Sequence, residues 1–287
     1  MAPNYVYKQK LVCIFGVKST ERNRDMKKTI SFVVPVYNEE KRLIKCVAAL
    51  RNAVIPEPLN LEKIIFVDDG SVDATYDLLY KFSNQVEKDT GAEVEIVSYG
   101  QNKGKGYAIK AGMSQSESDY TLFFDVDMAT PLVELEKFTP LMEQNKPVII
   151  GTRKNGESTV VKHQPRFREL LGRAFTLLSQ TILNTWVTDF TCGFKAFSRE
   201  ARVDIFTRSM IDRWGYDSEI MFLARKLGYN ITERAVIWSD DRNTKVKLSK
   251  AVFTSLAELI RIRSFELRGK YGLGYTGRWA VRFRLAR

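Results

Sequence analysis

Short apolar runs alternate with stretches of helical periodicity through the first half of the chain. The apolar runs are nearly continuous and end in polar turns, which is typical of parallel strands buried on both faces. The pattern predicts strands within residues 30–40, 61–71, 92–100, 120–127 and 147–153, and helices at residues 41–54, 74–89, 106–116 and 132–144. This alternation predicts a doubly wound α/β domain, in which a mostly parallel sheet carries helices on both faces.

The second half of the chain is less regular. Its periodicity predicts helices at residues 167–184 and 217–229, a loop at 188–198 and a strand at 233–241. A cationic amphipathic helix is predicted from about residue 245 to 270, followed by a short segment rich in aromatic residues and arginine. We therefore divide the chain into a basic extension at 1–28, a catalytic domain at 29–244 and a cationic C-terminal segment at 245–287.

Positive charge is concentrated at the two ends of the chain. The 287 residues carry a net charge of +11, yet residues 242–287 hold an excess of ten positive charges and residues 1–28 an excess of five, which leaves the middle slightly acidic. With 44% hydrophobic residues, the chain can form a large core. A mildly acidic body with basic ends indicates a metal-using catalytic core that its termini hold at an anionic surface.

The cysteines and the histidine exclude several kinds of site. The three cysteines form no CxxC pair, which argues against a disulfide framework or a zinc site and favours a reducing compartment. His163 is the only histidine, so any general base is expected to be Asp or Glu. The best apolar candidate near the N-terminus, residues 11–17, is far too short to span a bilayer. We therefore expect a cytoplasmic protein that associates with the membrane peripherally.

Two aspartates, Asp125 and Asp127, close the predicted fourth strand. Residues two apart in an extended segment point the same way, so both carboxylates can face one hard divalent cation that carries a diphosphate. Open α/β sheets bind ligands at this carboxyl end of their strands. Taken alone, a DxD sequence also fits an acidic turn that closes a strand.

Two further segments point to a nucleotide or phosphate site. Asp68 and Asp69 end the neighbouring strand, where they fit either a ligand-binding carboxylate or a turn before Gly70. Residues 102–112 (NKGKGYAIKAG) form a glycine-rich turn that leads into a helix, which resembles a phosphate cradle but lacks the Walker pattern. Lys105 in this turn fits a position near a diphosphate and, equally, a solvated lysine.

Eight segments, taken in order, carry a family resemblance: VVPVYNEE, VDDGSVDAT, NKGKGYAIKAG, DVDMATP, GTR, TDFTCGFKAFSREA, WGYDSE and VIWSDDRNTKV. Over roughly residues 29–250 the chain resembles a family 2 glycosyltransferase of the GT-A fold, and more narrowly the polyprenyl-phosphate glycosyltransferases of the dolichyl-phosphate β-glucosyltransferase type. Each segment alone is weak, whereas the ordered set is specific. The resemblance implies an enzyme that transfers a hexose from a nucleotide sugar.

The resemblance also implies roles for individual residues. It places Asp125 and Asp127 on Mg²⁺ or Mn²⁺. Arg153 and Arg168 match positions linked to the acceptor phosphate, for which a guanidinium is suited, although both also fit surface arginines. The residues it assigns to the nucleotide sugar are Pro35, Tyr37, Glu39, Asp69, Lys105, Asp125 and Lys245. The residues it places at the reacting centre are Asp127, Arg153, Asp189, Asp217 and Glu219.

The resemblance implies a metal-dependent, inverting transfer of a hexose. The expected donor is UDP-glucose, and the expected acceptor is a polyprenyl phosphate at the cytoplasmic face of a membrane. An acceptor that is already an anion needs no proton removed. A glycan or other hydroxyl acceptor is the alternative, and Asp189, Asp217 or Glu219 would then act as general base.

A non-catalytic basic module that binds a membrane or nucleic acid is the alternative from another class. The DVD sequence, together with Lys105 and Arg153, argues against it, and no nucleic-acid partner is expected. Many relatives carry transmembrane helices, and the C-terminal segment is the expected substitute, because an apolar stripe flanked by lysine and arginine can lie in a membrane interface. The stripe consists of Val252, Phe253, Leu256, Leu259, Ile260 and Leu267. An ordinary helix that packs on the core or on a partner subunit is the alternative.

Overall fold

The computed structural model describes residues 27–154, 156, 158–162, 166–239 and 248–273. Seven of its strands are β1 (Lys28–Val36), β2 (Leu59–Asp68), β3 (Glu93–Ser98), β4 (Tyr120–Phe124), β5 (Val148–Thr152), β7 (Phe194–Ser198) and β8 (Ile231–Ala235). They form one sheet in the order β3-β2-β1-β4-β7-β5-β8. Two short strands, β6 (Val160–Lys162) and β9 (Trp238–Ser239), pair in parallel beside it.

The seven-stranded sheet is parallel except for one strand. β1 pairs in parallel with β2 and β4, β2 with β3, and β5 with β8, whereas β7 lies antiparallel between β4 and β5. This confirms the predicted mostly parallel sheet. Because the strand order reverses at β1, the carboxyl ends of β1 and β4 border the crevice where sheets of this kind bind ligands.

Helices cover both faces of the sheet. They are α1 (Glu40–Arg51), α2 (Thr75–Thr90), α3 (Lys105–Gln115), α4 (Leu135–Glu143), α5 (Arg166–Leu183), α6 (Arg199–Phe206), α7 (Tyr216–Lys226) and α8 (Leu248–Leu267), with a 3-10 turn at Leu132–Glu134. Phe32 of β1 belongs to one core with Leu43 of α1 and Phe138 of α4, whereas the next residue, Val33, belongs to the other with Ile109 of α3. Successive side chains of β1 thus enter the cores on opposite faces of the sheet, as expected for a strand buried on both faces. The predicted doubly wound architecture is therefore confirmed.

The structure corrects three elements of the second half. The predicted loop at 188–198 contains β7, whose apolar run is interrupted by a fully buried lysine, Lys195. The predicted strand at 233–241 is two short strands, β8 and β9, in different sheets. The pattern did not predict α6, which Ser198 caps by accepting a hydrogen bond from the Ala201 N–H at 3.3 Å.

The predicted C-terminal helix is α8. Leu259 and Ile262 are buried in the core that contains α7, whereas Ile260 and Leu267 are 66% and 71% exposed. Part of the apolar stripe therefore packs on the domain and part faces outward. None of the described helices is long and apolar enough to cross a membrane. Residues 1–26, Lys245 and the segment after residue 273 lie outside the described residues.

Candidate active site

A cavity of about 480 Å³ opens at the carboxyl ends of β1, β2 and β4. Parallel strands end at the same edge of a sheet, which brings together turns that are far apart in the sequence. Six of the residues predicted to bind the nucleotide sugar line this cavity: Pro35, Tyr37, Glu39, Asp69, Lys105 and Asp125. Asp127 lines it as well, whereas Lys245 lies outside the described residues.

The turn after β1 forms the first wall. Asn38 adopts a left-handed φ of 53°, which a short polar side chain tolerates, and its backbone N–H donates to Ser71 Oγ at 2.9 Å. This hydrogen bond ties the turn after β1 to the turn after β2. Glu39 and Arg42 pair across one helical turn, with 3.2 Å between Glu39 Oε1 and Arg42 Nη1. The wall therefore presents a paired carboxylate and guanidinium to the cavity.

Asp69 organises the second wall. Its carboxylate accepts hydrogen bonds from Asn102 Nδ2 at 2.7 Å and from the backbone N–H groups of Lys103 and Gly104 at 2.8 and 2.9 Å. These residues directly precede α3, so the negative charge stabilises the positive end of that helix. Gly104 has a φ of 112°, and a Cβ there would lie 2.5 Å from Asp212 O, which requires glycine. Asp69 thus shapes the glycine-rich turn while it lines the cavity.

Asp125 and Asp127 follow β4, and Asp125 pairs with Lys105 from the first turn of α3. Lys105 Nζ lies 2.6 Å from Asp125 Oδ1, and the Ala129 N–H donates to Asp127 Oδ1 at 3.0 Å. Burial raises the pKa of Asp127, and the neighbouring Asp125 carboxylate raises it further. Two carboxylates and one ammonium group therefore share the edge of the sheet where the sequence predicts a metal and a diphosphate.

The two aspartates fit a divalent cation. Asp125 Oδ1 is buried, and its partner within the described part of the chain is the Lys105 ammonium group. A cation would relieve the repulsion between Asp125 and Asp127. Among the described residues no group of three or more Asp, Glu, His or Cys side chains could hold a metal. The site therefore suits a cation that takes its other ligands from a bound diphosphate and water, as Mg²⁺ does.

Asp189 is fully buried and paired with Arg153, which follows β5. Nε and Nη2 of the guanidinium lie 2.7 and 2.9 Å from the two carboxylate oxygens. The centroid of the Trp238 ring lies 5.1 Å from the guanidinium carbon. Burial alone would raise the pKa of Asp189, but the charge and hydrogen bonds of Arg153 outweigh it and hold this pKa well below its usual range. A carboxylate held in this way is a poor general base.

Asp217, in the first turn of α7, is paired with a buried lysine of β7. Lys195 Nζ lies 2.5 Å from Asp217 Oδ1 and also donates to Cys192 O at 2.6 Å. Burial raises the pKa of Asp217, whereas the charges of Lys195 and Lys105 oppose that rise. Asp217 therefore lies within electrostatic range of Lys105, although it is not part of the cavity lining.

Glu219 does not line the cavity, although the resemblance places it at the reacting centre. Its carboxylate is fully buried and accepts hydrogen bonds from the backbone N–H groups of Met210 and Ile211 and from the Tyr271 hydroxyl, at 2.8 to 3.0 Å. The reason is geometric, because helical residues two apart, such as Asp217 and Glu219, face different directions. These hydrogen bonds hold the loop between α6 and α7.

The remaining predicted site residue, Arg168, lies in α5, and its side chain is outside the described part of the chain. Among the lining residues with polar or aromatic side chains, sequence reasoning missed four: Arg42, Asn102, Arg213 and Trp214. The three-residue spacing from Glu39 is a signal for Arg42. Arg213 and Trp214 come from the loop between α6 and α7, which no local pattern connects to the first strands.

The sequence matches known glycosyltransferases over most of its length. The family described as Glycosyl transferase family 2 matches residues 31–206. The dolichyl-phosphate beta-glucosyltransferase of Dictyostelium discoideum is 31% identical over 249 residues, which cover 84% of this chain and 75% of that protein. The enzyme of the same name from Homo sapiens is 30% identical over 259 residues, which cover 87% of this chain and 79% of that protein.

Solved structures share the fold at low sequence identity. Glucosyl-3-phosphoglycerate synthase from Mycobacterium tuberculosis, in complex with Mn²⁺, UDP-glucose and glycerol 3-phosphate, matches with a TM-score of 0.59 at 20% identity, covering 82% of this chain and 80% of that one. A mannosyltransferase from Pyrobaculum calidifontis, in complex with GDP-Man and Mn²⁺, matches with a TM-score of 0.56 at 14% identity, covering 87% of this chain and 71% of that one. These neighbours establish the GT-A fold. The chain therefore belongs to glycosyltransferase family 2 and is a glycosyltransferase homologous to the dolichyl-phosphate beta-glucosyltransferases.

Proposed function

We propose that this enzyme transfers glucose from UDP-glucose to a polyprenyl or dolichyl phosphate at a membrane surface. The observation that carries the proposal is the convergence of Tyr37, Asp69, Lys105 and the Asp125–Asp127 pair on one cavity. The names of the two glucosyltransferase relatives support the acceptor, and UDP-glucose in the M. tuberculosis complex supports the donor.

In this proposal the cavity holds the nucleotide sugar along the edge of the sheet. The nucleoside lies against the turn after β1 and Asp69, and the diphosphate lies near Lys105, whose ammonium group offers it a positive charge. Asp125 and Asp127 would hold Mg²⁺ or Mn²⁺, which offsets the charge that develops on the UDP leaving group when the metal is bound. The protein thus supplies orientation and charge at the diphosphate end.

The charged pairs beside the cavity favour an acceptor that needs no general base. Asp189 forms an ion pair with Arg153, and Asp217 forms one with Lys195. The carboxylate of Glu219 accepts hydrogen bonds from backbone N–H groups. A phosphate oxygen can attack the anomeric carbon as an anion, so that the bond to UDP breaks without a proton transfer. A sugar hydroxyl would need one of these carboxylates to be released from its partner first.

An exposed apolar face of α5 supports a lipid acceptor. Leu170, Leu177 and Leu178 are spaced seven and eight residues apart, which places them on one helical face, and they are 65%, 61% and 43% exposed. Trp186, just after the helix, is 68% exposed. α8 packs beside α5 and adds the exposed Ile260 among basic residues. We propose that this surface rests on an anionic membrane, where apolar and cationic groups both gain contacts.

A screen of UDP- and GDP-sugars with a short polyprenyl phosphate, read by mass spectrometry, tests the proposal. We expect a hexosyl polyprenyl phosphate from UDP-glucose, formed only when Mg²⁺ or Mn²⁺ is present. Asp127→Asn serves as the control that keeps the fold and loses the product. Product from GDP-sugars alone would contradict the donor assignment, and full activity in the presence of a chelator would contradict the metal assignment.

A further inference from the structure

The loop between α6 and α7 forms one wall of the donor cavity through Arg213 and Trp214. This loop packs against the first turn of α3, where the Tyr107 N–H donates to Asp212 O at 3.0 Å. A Cβ at Gly106 would lie only 2.4 Å from a carbonyl oxygen of the loop. The close approach of the two backbones fixes how far this wall stands from the glycine-rich turn.

Two buried carboxylates hold the loop on either side of Arg213 and Trp214. In the middle of the loop, Glu219 of α7 accepts hydrogen bonds from the Met210 and Ile211 N–H groups at 2.9 Å. At its end, Glu258 of α8 accepts a hydrogen bond from the Gly215 N–H at 2.5 Å. Glu258 is 8% exposed and is one of only two acidic residues in the strongly basic segment 242–287. The C-terminal helix therefore contributes one of the two anchors of a cavity wall.

The contact between α8 and the loop is close enough to require glycine. A Cβ at Gly215 would lie 2.6 Å from Glu258 Cβ and 2.8 Å from Glu258 Oε2. A second connection comes from Tyr271, four residues after α8, whose hydroxyl donates to Glu219 Oε1 at 2.8 Å. The C-terminal segment thus reaches the end of the loop directly through Glu258 and its middle through Tyr271 and Glu219.

We propose that α8 is a positioning element for the donor cavity, with Glu258 and Tyr271 as positioning residues. Neither residue lines the cavity, and both act through the loop that carries Arg213 and Trp214. The guanidinium suits a phosphate, and the indole ring offers a flat apolar surface to a base or sugar. This inference rests on the proposed function for the identity of the ligand, a UDP-sugar.

Calorimetric titration of the full chain with UDP in the presence of Mn²⁺ tests the inference. Glu258→Ala should raise the Kd for UDP roughly three- to tenfold, since it removes a hydrogen bond to a charged acceptor. Glu258→Gln should restore binding to within about twofold, because its amide oxygen still accepts the Gly215 N–H. The matched control is Glu266→Ala, since this carboxylate of α8 pairs with Lys226 and Arg263, neither of which belongs to the loop.

A second measurement needs no nucleotide. Acrylamide quenching of tryptophan fluorescence, taken as the difference between each protein and its Trp214→Phe counterpart, reports the accessibility of Trp214. We expect Glu258→Ala to increase this quenching and Glu266→Ala to leave it unchanged. If Glu258→Ala changes neither UDP binding nor quenching, the positioning role is overturned. If the unmodified protein binds no UDP, the proposed function fails, and the quenching result still decides the inference.

Discussion

Replacing Gly193 with alanine should displace the carboxylate of Asp125 without changing any group that binds substrate. Gly193 directly precedes β7, and a Cβ at this position would lie 2.2 Å from Asp125 Oδ2 and 2.5 Å from Asp125 Cγ. Non-bonded heavy atoms in favourable contact lie about 3.5 Å apart, so the carboxylate has to retreat by roughly 1 Å. That shift should disrupt its ion pair with Lys105, in which Nζ and Oδ1 now lie 2.6 Å apart.

A misplacement of about 1 Å at a reacting centre can lower the rate about 100-fold. This corresponds to about 2.7 kcal/mol in the activation free energy. We therefore expect kcat for hexose transfer by Gly193→Ala to fall roughly 100-fold, and the metal concentration that gives half-maximal activity to rise. A steady-state assay of transfer across a Mn²⁺ titration measures both, while thermal unfolding shows that the fold persists.

Gly172→Ala in α5 is the matched control, because a Cβ at this position meets nothing within 4 Å. Alanine also favours a helix over glycine, so this variant should keep its activity and unfold at the same or a slightly higher temperature. If Gly193→Ala keeps the kcat and metal requirement of the unmodified protein, the Asp125 carboxylate does not lie against Gly193 in the working enzyme. The site geometry described above would then be wrong.

Three further predictions concern the metal pair, a buried ion pair and the apolar face of α5. Asp127→Asn should abolish transfer as a chelator does, while urea unfolding shows unchanged or slightly higher stability, because one of two neighbouring carboxylate charges is removed. Asp189→Asn should lower the free energy of unfolding by about 3–5 kcal/mol at neutral pH, because it leaves Arg153 without its partner. Since the folded-state pKa of Asp189 is depressed, this stabilisation is present above the unfolded pKa of about 3.9, and the difference between the two proteins in urea unfolding should shrink as the pH falls below that value. Leu177→Ser combined with Leu178→Ser should reduce sedimentation with anionic liposomes and leave UDP binding unchanged, and undiminished sedimentation would rule out this face as the membrane contact.

The side of the cavity that carries Pro35, Asp69 and Asp125 could be predicted because these residues lie at or just after the ends of neighbouring strands. Pro35, Asp69 and Asp125 each lie in or just beyond an apolar run, and parallel strands bring such positions to one edge of the sheet. The same reasoning led to Lys105, whose glycine-rich turn opens α3. In these cases the local pattern and the topology of an α/β sheet were sufficient.

The opposite side of the site could not be predicted from local patterns. Lys195 breaks an apolar run, as a surface lysine would, and its burial depends on Asp217 from another element. Arg213 and Trp214 reach the cavity because a loop packs on α3, a contact between distant parts of the chain. Glu219 is an acidic residue in a segment of the family resemblance, which suggests a catalytic acid. Only its hydrogen bonds to backbone N–H groups show that it holds that loop.

The most direct test of the central claim is a competition between two acceptors for UDP-glucose: a polyprenyl phosphate and the polyprenol of the same chain length. We predict that only the phosphate is glucosylated, at a rate that rises with pH through the second ionisation of the acceptor at about pH 6 and then levels off. Mass spectrometry of the products distinguishes the two acceptors in one reaction. Preferred glucosylation of the polyprenol, with a rate that depends strictly on the carboxylate of Asp217 or Asp189, would contradict the account.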